Sequence, residues 1–269
     1  MKKLMSIAVV LALAACGPKD ETGPTPEQKA TVQDADAADG PAEMEQASSD
    51  AVVDSGSGGA TQSSNPTTGF TFAATVSLTV DLDSLNTLGQ DRFPNATGLL
   101  GISASGVVTG DSASGTADYT VTATAQSVCV FTDPGNGATA TVQPGAAVTV
   151  TQHLTWIWTD SQNWTVTSDA TGSVAGVPVT VQKGPTIVDA TVTRSRHSTW
   201  SFSQAGGVYS GTGTWTSLTT VNLASGHVVV FDVQNLSLIY ITVDGVTFGP
   251  YTSGEGVVDL RDVDRVAMP

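Results

Sequence analysis

The chain has 269 residues, with 25 Asp and Glu against 10 Lys and Arg, a formal net charge of −15. That balance excludes a nucleic-acid partner, which requires a basic face, and discourages close contact with anionic lipid. The 201 residues from 69 onward can make one domain or two of about 100 residues, although no linker-like stretch divides them.

The first element is a secretory signal. Lys2 and Lys3 are followed by an uncharged run from Leu4 to Ala15, interrupted only by Ser6. A spanning helix needs about 20 apolar residues. This run is too short for one and has the length and flanks of a signal-peptide h-region. It ends in Leu13-Ala14-Ala15-Cys16, followed by Gly17. The tetrapeptide resembles the lipobox of bacterial lipoproteins, a resemblance that covers residues 1–17 alone. It implies cleavage before Cys16, diacylglycerol on the Cys16 thiol and commonly an acyl chain such as palmitate on the new amine. Two or three chains hold a protein firmly where one holds it marginally. Gly17, standing where an aspartate marks inner-membrane retention in enterobacteria, implies the outer membrane, with the periplasmic or cell-surface side left open. The expected partner here is the membrane itself, through the lipid on Cys16.

Residues 16–68 are expected to form a lipidated, disordered linker. From 17 to 68 there are ten acids, two bases and no aromatic residue. Such a composition buries too little apolar surface to offset its ordering entropy. As a flexible chain it spans about 40 Å.

From 69 to 269 the pattern is all-β. The segment is rich in Thr and Val, apolar and polar residues alternate, and Gly, Asn, Asp and Ser mark turns. Val148, Val150, Leu154, Trp156 and Trp158 share one parity against a mostly Thr-bearing face. Turns are expected at Ser112–Gly115, Asp133–Gly137 and Asp160–Asn163, with a short helix over Leu82–Gln90. Asp244-Gly245, between Leu236–Val243 and Val246–Tyr251, is the strongest hairpin signal, since a type I′ turn requires positive φ at both central residues. Ten to twelve strands joined by short turns predict an antiparallel meander forming one sandwich or barrel-like domain. Thr-Val-Thr recurs at irregular spacing, so it is strand composition and not a repeat. The strands are too mixed for a transmembrane barrel.

Residues that carry chemistry are sparse. With Cys16 lipidated, Cys129 has no disulfide partner, and its parity with Tyr119, Val121, Ala123 and Phe131 marks a small buried hydrophobe. Gly110-Asp111-Ser112 resembles a hydrolase nucleophile motif. Chymotrypsin-like proteases continue with two glycines where Ala113-Ser114 stand here, and a hairpin turn accounts for the segment. His153, His197 and His227 sit singly on separate strands and read as isolated surface histidines, so no metal site is expected. Asp81 with Asp83, and Asp259, Asp262 and Asp264 near Glu255, lack the calcium-loop pattern. No catalytic residue and no cofactor is expected.

All five tryptophans lie between 156 and 215, either as core or as an exposed face that stacks on sugar rings. Arg194 and Arg196 share parity with Val192, Trp200 and Phe202. Either a bulge or a sheet-end position turns them outward, or they form with Trp200 a cleft for an anionic or sugar ligand. The leading expectation is a non-enzymatic, membrane-anchored protein whose β domain displays an interaction surface at the cell envelope to a protein or glycan. The alternative is a glycan- or lipid-binding carrier module, and an enzyme is the third reading.

Overall fold

The computed structural model describes residues 25–38, 40–42, 44–45, 70–85, 96–111, 113–133, 137–235 and 237–250. The signal peptide, Cys16 and the acidic group at 255–264 lie outside the described residues.

The alternation of Thr with Val, Ala and aromatic residues produces strands throughout 70–250. They are β1 (Phe70–Asp81), β2 (Ala96–Thr97), β3 (Leu99–Gly110), β4 (Ser114–Ala125), β5 (Cys129–Thr132), β6 (Thr139–Val142) and β7 (Ala147–Asp160). The rest are β8 (Asn163–Lys183), β9 (Thr186–Ala205), β10 (Val208–Leu223), β11 (Val228–Gln234), β12 (Ser237–Val243) and β13 (Val246–Phe248). All thirteen belong to one antiparallel sheet with the path β1-β3-β4-β7-β8-β9-β10-β11-β12-β13. The fold is the expected all-β meander, curled in a sandwich-like way around its own apolar face.

The sheet branches at β8. Up to Val174 this strand pairs with β7, and from Val179 to Gln182 it pairs with β6, which carries β5 and β2. Between the two stretches the register against β9 shifts at Val174/Val177, where Gly176 has φ 64°. A bulge with a left-handed glycine bends its strand. Here that bend moves β8 from one neighbour to another and folds the sheet over its core.

Expected turns recur with identifiable chemistry. Asp111 Oδ1 accepts from the backbone N–H of Ala113 (2.7 Å) and Ser114 (2.8 Å), and the Asp111 N–H donates to the Ser114 carbonyl (2.8 Å), closing the hairpin between β3 and β4. Asp244 and Gly245 have φ of 50° and 83°, as a type I′ turn demands. The helix expected over Leu82–Gln90 is described only as one turn, Leu82–Leu85, with Asp81 Oδ1 accepting from the Asp83 N–H.

Part of the expected linker is folded. Helix α1 (Pro26–Asp36) opens with a capping box in which Thr25 and Gln28 bond reciprocally, with Pro at the first turn. It packs against β10, β11 and β12, and Lys183 Nζ donates to Gln33 Oε1. Residues 40–42 and 44–45 are helical and buried. Gly40 lies against Phe131, Ala140 and Val142, so even a β carbon would crowd all three. The composition argument assumes that a segment must supply its own apolar surface. This one needs only Ala35, Ala37, Ala38, Ala42 and Met44, because the sheet supplies the rest.

Candidate functional site

One face of the sheet carries the five tryptophans with Phe202, Tyr209, Arg194 and Arg196, and strand register orders them in rows. At the rim, Trp158, Trp164, Gln204 and Tyr209 face one another across β7, β8, β9 and β10. One row inward are Gly115, Trp156, Val166, Phe202 and Gly211. The third row holds Ala117, Leu154, Ser168, Trp200 and Gly213, and the fourth Tyr119, Gln152, Ala170, Ser198 and Trp215. Below these come Gly172 with Arg196 and Ser217, then Val174 with Arg194 and Thr219.

Exposure falls along the rows. Tyr209 and Trp158 at the rim are 54% and 46% exposed, Trp200 and Phe202 are half-buried, and Trp215 is 1% exposed. The upper rows therefore form an open trough, and the lower rows belong to the core. The tryptophans divide between the two expectations, with Trp215 in the core and Trp156, Trp158, Trp164 and Trp200 on the trough.

The trough rings lie flat because glycines face them. A β carbon on Gly213 would sit 2.2 Å from the Trp200 ring, on Gly211 2.9 Å from Phe202, and on Gly115 2.1 Å from Trp156. With one face on backbone, the rings tile. Trp200 and Phe202 are within 9° of parallel at 6.1 Å, and Phe202 and Tyr209 within 22° at 6.3 Å. Trp158 and Trp164 are parallel within 8° at 6.2 Å, and Trp164 meets Tyr209 tilted at 5.9 Å. Separations of this size are favourable for aromatic pairs.

Polar groups interrupt the rings. Trp164 Nε1–H donates to Gln204 Oε1 (2.7 Å), Gln152 Nε2–H donates to Ser168 Oγ (2.7 Å), and the Tyr119 hydroxyl donates to Gln152 Oε1. Burial pushes the Tyr119 hydroxyl up to about 12. No side chain named in the first four rows is charged.

Arg194 and Arg196 point inward as their parity predicts, because the bulge lies on β8 and not on β9. Both are buried. Arg196 Nε lies 3.0 Å from Glu45 Oε1, and the two residues are 9% and 1% exposed. The Arg194 guanidinium sits 5.6 Å over the Trp215 ring, a cation–π contact. Gly172 is required here, since its β carbon would fall 1.8 Å from the Glu45 carboxylate. The structure thus separates the three residues grouped by sequence: Trp200 stands on the open trough, while Arg194 and Arg196 lie beneath it, closed over by the N-terminal segment. Nothing in the sequence around Arg194 and Arg196 names a partner some 150 residues earlier.

The opposite face is hydroxyl-rich and solvated. Thr109, Thr116, Thr155, Thr167, Ser201 and Thr212 form one row across six strands. A shallow groove of about 470 Å3 runs along this part of the sheet, lined by His153, Asp169, Thr199 and Thr214 together with Ser168, Trp200 and Gly213 of the trough rows. The histidines, expected to be isolated, each meet an aspartate: His153 with Asp118 of β4, His197 with Asp169 of β8 (3.0 Å), and His227 with Asp244 of the β12–β13 turn (2.7 Å). These pairs are substantially exposed and contribute little to stability. Among the described residues no Ser, Thr or Cys side chain is hydrogen-bonded to an imidazole, and no group of three or more His, Cys, Asp or Glu is placed to hold a metal. Cys129 is buried, with Sγ near the Leu99 and Ser127 carbonyls, and burial pushes its thiol up. No described helix is long and apolar enough to cross a membrane. No protein-family model, curated protein or solved structure matches the chain.

Proposed function

We propose that the chain is a bacterial envelope lipoprotein, anchored through lipid on Cys16 to the outer membrane, whose non-enzymatic β domain displays the aromatic trough as an interaction surface. The observation that carries this reading is the trough itself. Large rings stand open at one end of a sheet whose other end is filled, and contiguous exposed aromatic surface on a folded protein marks a contact site.

The folded N-terminal segment alters how the anchor acts. The described fold begins at Thr25, so the link from Cys16 is residues 17–24, with a reach of at most about 29 Å. Lipid on Cys16 therefore holds the β domain near the bilayer, instead of at the end of a 52-residue leash.

Two measurements test the two halves of the proposal. Cells fed labelled palmitate incorporate it into the wild-type chain, and Cys16→Ser abolishes incorporation. Unchanged labelling of Cys16→Ser rules out the anchor. Purified chain sediments with envelope fragments, and Trp158→Ala with Tyr209→Ala reduces the bound fraction severalfold at unchanged thermal midpoint. Unchanged sedimentation removes the displayed surface.

A further inference from the structure

We infer that the trough binds a neutral oligosaccharide, whose sugar faces stack on Trp200, Phe202 and Tyr209 and whose hydroxyls bond Gln204 and Ser168. This rests on the reading of the trough as the displayed surface and names its ligand class.

Three observations select that class. The first is geometric. Trp200 and Phe202 lie against Gly213 and Gly211 and stay partly exposed, and Tyr209, more than half exposed, continues the stacked rings at 6.3 Å. Consecutive flat platforms of this kind suit consecutive pyranose rings, whose C–H faces stack on aromatic π-systems. The rings are already held by backbone contact, so little conformational freedom is lost on binding.

The second is charge. No side chain of the four trough rows is ionised at neutral pH, and the nearest buried cation, Arg196, is paired with Glu45. Asp111 and Asp160 occupy turns at the same end of the sheet. An anionic polymer is repelled there, and a cationic one finds no carboxylate inside the trough.

The third is polarity. Gln204 uses Oε1 for Trp164, which leaves its amide nitrogen without a partner among the described residues. Ser168 accepts from Gln152 and retains a hydroxyl proton to donate. Sugar hydroxyls both donate and accept, so they match these groups. An acyl chain would cover them unsatisfied, at a cost of about 1–3 kcal/mol each.

The test uses the full-length chain in a detergent without a sugar headgroup. It is titrated with chitohexaose, cellohexaose and maltohexaose, and in parallel with a decaproline peptide and phosphatidylcholine vesicles, read by tryptophan fluorescence and calorimetry. At least one oligosaccharide is expected to bind, with Trp200→Ala and Tyr209→Ala each weakening it about tenfold. Gln204→Ala, at a half-exposed position whose loss leaves the fold intact, weakens the same sugar severalfold and carries the test if Trp200→Ala misfolds. The inference is overturned if no neutral oligosaccharide binds, if binding is indifferent to these substitutions, or if only decaproline or vesicles bind. Should the sugars fail while Trp158→Ala with Tyr209→Ala still loses envelope sedimentation, the displayed surface stands and only its ligand class falls. If sedimentation is also unchanged, both fall.

Discussion

The two halves of the same three strands, β8, β9 and β10, solve one problem in opposite ways. Toward Val174, Val192 and Val221 the inner face is covered by the N-terminal segment, and its residues are small or aliphatic, apart from Trp215 beneath Arg194 and the Arg196–Glu45 pair. Toward Trp164, Phe202 and Tyr209 nothing among the described residues covers it. There glycine on one strand seats an aromatic ring from the next, so each ring shields backbone while leaving its own face open. A covered face can afford methyl groups that fit neighbours closely. An uncovered face holds itself together within the layer, and flat rings on glycine do so while remaining available to a partner.

Breaking the cover should have the largest effect. Glu45→Ala leaves Arg196 buried without its carboxylate and is expected to destabilise by about 3–5 kcal/mol. Replacing both residues by Met should recover most of that loss, because a buried pair and an apolar pair of similar volume are comparable. Urea denaturation of the three chains decides it, and a Glu45→Ala chain as stable as wild type would mean that the segment does not close the core. Trp215→Ala and Trp158→Ala place the same truncation in the two regions. The first should cost about 3–5 kcal/mol as a core cavity, the second within about 0.5 kcal/mol. Equal losses would erase the distinction drawn here.

A smaller effect separates ring seating from ring burial. Gly213→Ala puts a β carbon 2.2 Å from Trp200 and 2.6 Å from the Thr199 carbonyl oxygen, so the ring must lift. We expect about 1–3 kcal/mol of destabilisation and a red-shifted tryptophan emission. Gly211→Ala, whose nearest contact is 2.9 Å, should cost less. If both are silent, the rings do not rest on glycine.

Much of the covered half was legible because alternation reports which parity faces the core. Val148 and Val150 behaved as read, as did Cys129 and the Asp244-Gly245 turn. What could not be read is what meets that face. Glu45 reaches Arg196 through the docking of the N-terminal segment, and Asp118, Asp169 and Asp244 reach three histidines through the packing of separate elements, which no local pattern encodes. One missed element did leave a signal. Thr25-Pro26-Glu27-Gln28 is a capping box with proline at the first turn, a local helix-start signal set in an acidic, otherwise polar stretch. The glycines of β10 misled differently, since Gly211 and Gly213 look like weak points in a strand until the rings of β9 are placed beside them. The trough was thus visible in sequence only as a cluster of tryptophans with core and surface readings both open.

Within the open region, the bordering turns and the floor should titrate in opposite directions. At turns of the sheet the carboxylates are stabilised by donors. Asp111 is held below the ordinary 3.8 by the Ser114 and Ala113 backbone N–H groups, and Asp160 by the Asn163 side chain and the Gln162 backbone N–H. A depressed folded pKa contributes stability that is present above 3.8 and lost as pH falls through the lower folded value. The turns should therefore loosen only in acid below 3.8, with carboxyl-carbon shifts of Asp111 and Asp160 showing midpoints under that value. Deep in the trough, Tyr119 is raised from 10 to about 12 by burial. Its contribution is whole below pH 10 and is lost as pH rises through about 12, so phenolate absorbance from this residue should emerge late, and earlier in Gly106→Ala. The Gly106 β carbon would lie 2.4 Å from Tyr119 Cβ and must displace the side chain. A Tyr119 midpoint near 10 in the wild-type chain would mean that water already reaches the trough floor, and the boundary between the open and filled halves of the sheet would move down to the row of Arg196.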